Sequence, residues 1–207
     1  MTRNRMIILV AILALAALAA PWLWRMGNGA VVQGKSGQAG AVQGSGRALI
    51  GGPFTLTDQS GKTVTDADFK GKYMLVYFGF TFCPDVCPTE LQVMAGAMEK
   101  LGDKAEKVQP VFVTVDPERD TPEALAKYVK QFDPRLIGLT GTPAQIAQVA
   151  KEYRVFYEKV KDDDGSGDYT MDHSSVVYLM GPDGGFLSFF PPATSPDQMA
   201  EKIASFL

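Results

Sequence analysis

Hydrophobic and polar positions divide the chain into an uncharged run, an unpatterned stretch and a patterned remainder. Residues 6–24 carry no charge and are about long enough to cross a bilayer core. From Gly27 to Gly46 the chain is rich in Gly, Gln, Ser and small residues without apolar periodicity, the composition of a flexible tether. From about residue 48 onward, short apolar runs alternate with helical periodicity. Residues 54–56 and 63–64, on either side of a polar turn at 58–61, predict a small hairpin. Residues 73–80 and 109–115 are continuous apolar runs of strand length and predict buried strands. Three more strands are expected at 153–160, 174–180 and 185–190, the last two joined by a Gly-Pro-Asp-Gly turn.

Helices are marked by their starts. Pro88, Thr89 and Glu90 open one whose apolar face is Leu91, Met94, Met98 and Leu101. Thr121-Pro122-Glu123, Thr142-Pro143 and Ser195-Pro196-Asp197 each combine a capping residue with a proline at the first helical position. Parallel strands with helical crossovers, ending in a hairpin and a helix, describe an α/β, thioredoxin-like three-layer fold around a central mixed sheet. The expected organisation is an N-terminal segment with a transmembrane helix at 1–25, a linker at 26–47 and one domain at 48–207.

Charge orients this arrangement. Arg3, Arg5 and the amino terminus precede the apolar run and only Arg25 follows it closely, which places the N-terminus in the cytoplasm and the domain outside. A cleaved signal peptide is the competing reading, since Ala17-Leu18-Ala19 fits a cleavage site, although Pro21, Trp22 and Trp24 suit an anchor better. The lack of an Arg- and Ser-rich transit segment favours a bacterial inner membrane, single-pass, with the domain in the periplasm. Beyond Arg25 there are 17 basic and 23 acidic residues, a formal charge of −6, which argues against a nucleic-acid partner.

The chemistry centres on Cys83 and Cys87, the only two cysteines, which follow a predicted strand and sit at or just before a predicted helix N-terminus. Four residues apart at a first turn, their sulfurs can converge on each other or on a metal ion, and the helix dipole favours thiolate. His173 is the only histidine, just before the predicted strand at 174–180. Two thiols and an imidazole form a soft, three-coordinate set suited to copper, whereas structural zinc normally takes four ligands. Asp116 stands at the carboxyl end of the strand at 109–115, where sites form in such sheets. Glu118, Arg119 and Asp120 read either as part of that site or as a solvated loop capped by Thr121. Met171 is a further thioether within reach of His173. The run at 162–168 is rich in Asp and Gly but lacks a terminal Glu and flanking helices, so a solvated turn is expected rather than a calcium loop.

With these residues in place the sequence resembles the Sco/SenC family of membrane-anchored, thioredoxin-fold copper proteins involved in cytochrome c oxidase assembly. The resemblance covers residues 50–207 and is carried by Cys83-Pro-Asp-Val-Cys87-Pro88, by the run from Val115 through Asp116-Pro117-Glu118-Arg119-Asp120 to Pro122, and by Asp172-His173-Ser174. It implies that Cys83, Cys87 and His173 bind one copper ion, with Asp116 nearby as a supporting group or weak ligand. It further implies delivery to the dinuclear copper centre of cytochrome c oxidase subunit II, with an upstream donor supplying the metal. The alternative is a thiol-disulfide reductase that uses Cys83 and Cys87 to keep the cysteines of the oxidase copper site reduced. Closure of the same pair as a disulfide would empty the site and couple metal loading to redox state.

Overall fold

The computed structural model describes residues 49–161 and 169–207. The expected membrane anchor (1–25), the linker (26–47) and the acidic run at 162–168 lie outside the described residues. Among those described, no helix is long and apolar enough to cross a membrane.

The chain first forms the hairpin β1 (Thr55–Asp58) and β2 (Thr63–Thr65), with Leu56 opposite Val64. A short 3₁₀ turn, Asp66–Phe69, leads into β3 (Tyr73–Gly79), and α1 (Val86–Leu101) follows. Then come β4 (Val108–Thr114), α2 (Pro122–Val129), β5 (Ile137–Thr140) and α3 (Pro143–Glu152). The remaining elements are β6 (Tyr157–Lys161), β7 (Tyr169–His173), β8 (Val177–Met180), β9 (Phe186–Phe190) and α4 (Pro196–Ala204).

Seven strands make one mixed sheet in the order β2-β1-β5-β4-β3-β8-β9. β3, β4 and β5 run parallel, while β8 pairs antiparallel with β3. Parallel neighbours need crossovers, and here α1 and α2 supply them. Six of the seven residues of β3 are buried, as expected of a strand covered on both faces. α1 packs against α4, where Gly96 lets the Pro196 ring come close and Lys100 pairs with Asp197 at 2.7 Å.

The three Thr/Ser-Pro starts form as expected. Thr121, Thr142 and Ser195 are N-caps whose side chains accept from Ala124, Gln145 and Gln198 amides, each cap stabilising its helix by about 1 kcal/mol.

Several expectations are corrected. α1 begins at Val86, two residues before Pro88. Pro88 therefore occupies the third helical position, where its missing N–H leaves no bond unmade, since the first four amides of a helix lack intrahelical partners. The strand expected from 153 begins only at Tyr157, because Tyr153 closes α3 and Arg154 takes φ 55°. The strand expected from 174 begins at Val177. Two strands were not anticipated: β5, and β7, which pairs with β6 in a separate two-stranded sheet. His173 is thus the last residue of β7 rather than a residue preceding β8.

Candidate metal centre

The site is assembled by the end of β3, the first turn of α1 and the end of β7. Backbone from Thr81 to Asp85 turns the chain out of the sheet, with the Cys83 amide donating to the Phe80 carbonyl at 3.3 Å. Cys83 is half-buried in this turn; Cys87, in the first turn of α1, is fully buried. The Cys87 amide donates to the Cys83 sulfur at 3.4 Å. Gly79 makes room for the second thiol: a Cβ there would lie 2.9 Å from Cys87 Sγ and 2.9 Å from the Phe112 ring.

His173 arrives from the other side. Along β7 the inward positions are Tyr169, Met171 and His173, alternating with exposed Thr170 and Asp172. The ring stands perpendicular to Phe80, with centroids 5.8 Å apart, and edge-on to Tyr77 at 6.2 Å. Its Nδ1 lies 3.2 Å from the Ser174 carbonyl oxygen. A carbonyl can only accept, so Nδ1 is the donor in this contact and Nε2 is the ring atom turned toward the sulfurs. That Nε2 is 3.3 Å from Cys87 Sγ. The ligand atoms of Cys83, Cys87 and His173 all lie within 4.8 Å of one another, a spacing that could hold one metal ion. The donor set fits a soft ion, with two sulfurs and an imidazole nitrogen turned toward them.

The two thiols titrate as a pair. A hydrogen bond from the Cys87 thiol is the main force lowering Cys83, to about 4, against the opposing effect of burial; His173 and the amides of Asp85 and Cys87 add to it. The same bond and burial push the Cys87 thiol up. The pair thus shares one proton, with the thiolate favoured at Cys83 and the proton at Cys87. A cavity of about 280 Å³ opens onto Cys83 and His173, lined also by Phe80, Asp85 and Met171.

Asp116 is buried, and the structure engages both of its oxygens elsewhere. Oδ1 accepts from the Tyr169 hydroxyl at 2.9 Å, and Oδ2 pairs with Arg119 Nε. Glu118 is exposed and pairs with Lys159 at 2.7 Å. Asp120 is no solvated loop residue. It is fully buried and accepts from the Thr81 amide (3.0 Å), the Thr81 hydroxyl (2.5 Å) and the Thr114 hydroxyl (2.6 Å), tying the cysteine turn to β4. Met171 is buried in the core and also lines the cavity. Sequence reasoning passed over Gly79, Tyr77, Ser174 and the structural part played by Arg119 and Asp120. A glycine ending an otherwise bulky strand was the one available signal, since it marks a close approach.

A mixed sheet that brings two thiols from a strand-helix junction to an imidazole on a neighbouring arm defines a thioredoxin-like domain whose Cys-Cys-His group could hold a metal ion. A family model described as SCO1/SenC matches residues 42–207. The chain belongs to the SCO1/SenC family. It is 45% identical over 164 residues to the human protein named "Protein SCO1 homolog, mitochondrial", an alignment covering 78% of this chain and 54% of that one. The chain thus spans about half the length of this curated relative. The structure of Bradyrhizobium japonicum ScoI with copper bound is 50% identical with a TM-score of 0.70, covering 76% of this chain and 99% of that one. The structure of BsSco, described as having a disulfide switch and belonging to the Sco family of cytochrome c oxidase assembly proteins, is 30% identical with a TM-score of 0.59, covering 77% and 94%.

Proposed function

We propose that this chain carries one copper ion on Cys83, Cys87 and His173 and delivers it during assembly of cytochrome c oxidase. The observation that carries this reading is the convergence of three ligand atoms within 4.8 Å, with the imidazole oriented by the contact between Nδ1 and the Ser174 carbonyl. Copper bound in Bradyrhizobium japonicum ScoI and the oxidase-assembly description of BsSco support the metal and the pathway. Two thiolates and a neutral imidazole suit Cu(I) and leave one side of the ion open, so that an acceptor's ligands can displace them one at a time. In this reading residues 6–24 anchor the chain in a bacterial inner membrane and the domain works in the periplasm. The acceptor is the dinuclear copper centre of oxidase subunit II, and a separate donor loads the site.

One observation favours a second reading, a thiol-disulfide reductase. Cys83 is a half-exposed thiol lowered to about 4, with the protonated Cys87 buried behind it, which is the layout of an attacking thiolate and a resolving thiol. The dithiol would pass two electrons to a target disulfide and close as Cys83–Cys87.

The deciding experiment is an anaerobic Cu(I) titration of the reduced full chain against a competing chelator, with His173→Ala in parallel. Tight binding of one copper per chain, weakened sharply by the substitution, is expected. Equally poor binding by both chains would remove the copper reading and leave the reductase.

A further inference from the structure

The two halves of the site belong to different parts of the fold. Cys83 and Cys87 are rooted in β3 and α1, inside the seven-stranded sheet and its helices. His173 ends the β6–β7 arm, whose strands pair with each other and with no strand of the main sheet among the described residues. Besides the contacts of His173 itself with Phe80 and Cys87, the Arg119 side chain touches both the arm and the cysteine turn. The Arg119 guanidinium lies 3.7 Å from the centroid of the Tyr169 ring, at the start of β7, and 4.6 Å from that of Phe82, the residue before Cys83. Its Nη1 donates to the Tyr169 carbonyl at 2.9 Å, and its Nε pairs with Asp116. Asp116 in turn accepts from the Tyr169 hydroxyl, closing a ring of contacts around the first residue of the strand that ends in His173.

We propose that Arg119 is a positioning residue that ties the His173 arm to the cysteine turn and thereby sets how firmly the imidazole closes on the two sulfurs. This rests on the copper-binding reading of the site. Arg suits the task because its planar group stacks between two aromatic faces while its N–H groups remain free to bond in the plane. Other contacts also hold the arm: Lys159 with Glu118, the buried Met171, and the bond between the Ser174 amide and the Phe156 carbonyl. Of the hydrogen bonds and ion pairs among these, none involves a residue next to Cys83.

The test is a double-substitution cycle read by anaerobic Cu(I) titration of the reduced full chain. Arg119→Ala is expected to weaken Cu(I) binding by about 10–100-fold, the range for groups that orient a metal ligand. In a His173→Ala background the same substitution is expected to change affinity by no more than about twofold, because it acts through the imidazole. Tyr169→Phe, which keeps the ring but loses the bond to Asp116, is expected to weaken binding in the same direction by less. In the metal-free chain, amide hydrogen exchange across 157–161 and 169–173 should quicken in Arg119→Ala while α1 keeps its protection. An equal loss in both backgrounds, or no loss, overturns the proposal. Equal and poor binding by wild type and His173→Ala would instead sink the copper reading, and arm exchange unchanged by Arg119→Ala would then still overturn the tie.

Discussion

The Thr81 hydroxyl donates to the Asp120 carboxylate at 2.5 Å although 39 residues separate the two. The Thr81 amide makes a second bond and the Thr114 hydroxyl a third, so one buried carboxylate joins the turn leading to Cys83 to the end of β4. Asp120→Ala would leave the buried Thr114 hydroxyl and the half-buried Thr81 donors without this partner, at a cost of about 1–3 kcal/mol. Urea unfolding measures this, and a loss below about 0.5 kcal/mol would mean that the turn is held by other contacts.

Gly79→Ala tests the space beneath the buried thiol. A methyl group 2.9 Å from both Cys87 Sγ and the Phe112 ring cannot be accommodated unless those side chains or the strand beneath them shift. The expected cost is about 1–3 kcal/mol, as for other overpacked core positions. Because the thiol itself must shift, Cu(I) affinity should fall together with stability. Unchanged affinity in a destabilised variant would show that the strain is relieved through Phe112 instead.

Alkylation should separate the two thiols. Cys83, lowered to about 4 chiefly by the hydrogen bond from Cys87, is thiolate at all pH values well above that, whereas Cys87 stays protonated and buried. Iodoacetamide should therefore modify Cys83 first, with a rate that is flat from pH 6 to 8 and falls only as pH approaches about 4. Cys87→Ala removes the main cause and should move the half-point upward. Peptide mass mapping decides the matter, and first modification at Cys87 would contradict the assignment of the proton.

Glu90 predicts a pH dependence of stability. It is 3% exposed, its Oε2 has no hydrogen-bond partner among the described residues, and burial raises its pKa, partly offset by a bond from the Ala193 amide. A carboxyl whose folded pKa lies above its unfolded value binds its proton more tightly when folded. Its contribution to stability is therefore complete below the ordinary glutamate value of 4.5 and is lost as pH rises through the raised folded value. Glu90→Gln should flatten this fall in a series of urea unfolding curves; an unaltered slope would assign the dependence to other groups.

Much of this was legible in the sequence where a local signal and the tertiary fold agree. Thr121, Thr142 and Ser195 each precede a proline that suits a first helical position, and each is an N-cap. The apolar runs behind β3 and β4 are long enough to show burial on both faces. β5 was missed because it is four residues long and contains Gly138, whose missing side chain weakens the strand pattern yet leaves room for Val129 and Leu125. The strand of His173 was missed because Tyr169 to His173 mixes polar and apolar types and pairs outside the main sheet. Asp120 looked like a loop residue because charge suggests solvent until its partners, Thr81 and Thr114, are known.

The separation of the β6–β7 arm from the main sheet means that site and fold need not fail together. The turn bearing the cysteines is rooted in a strand paired on both sides, whose amides are expected to open only with the whole domain. The arm, paired only within itself among the described residues, is expected to open at lower cost, and warming should withdraw the histidine while the sheet remains whole. Heat damage would then erase competence ahead of architecture: a sample with a native circular-dichroism spectrum could already be functionally blank, and its working lifetime would be shorter than its melting curve suggests.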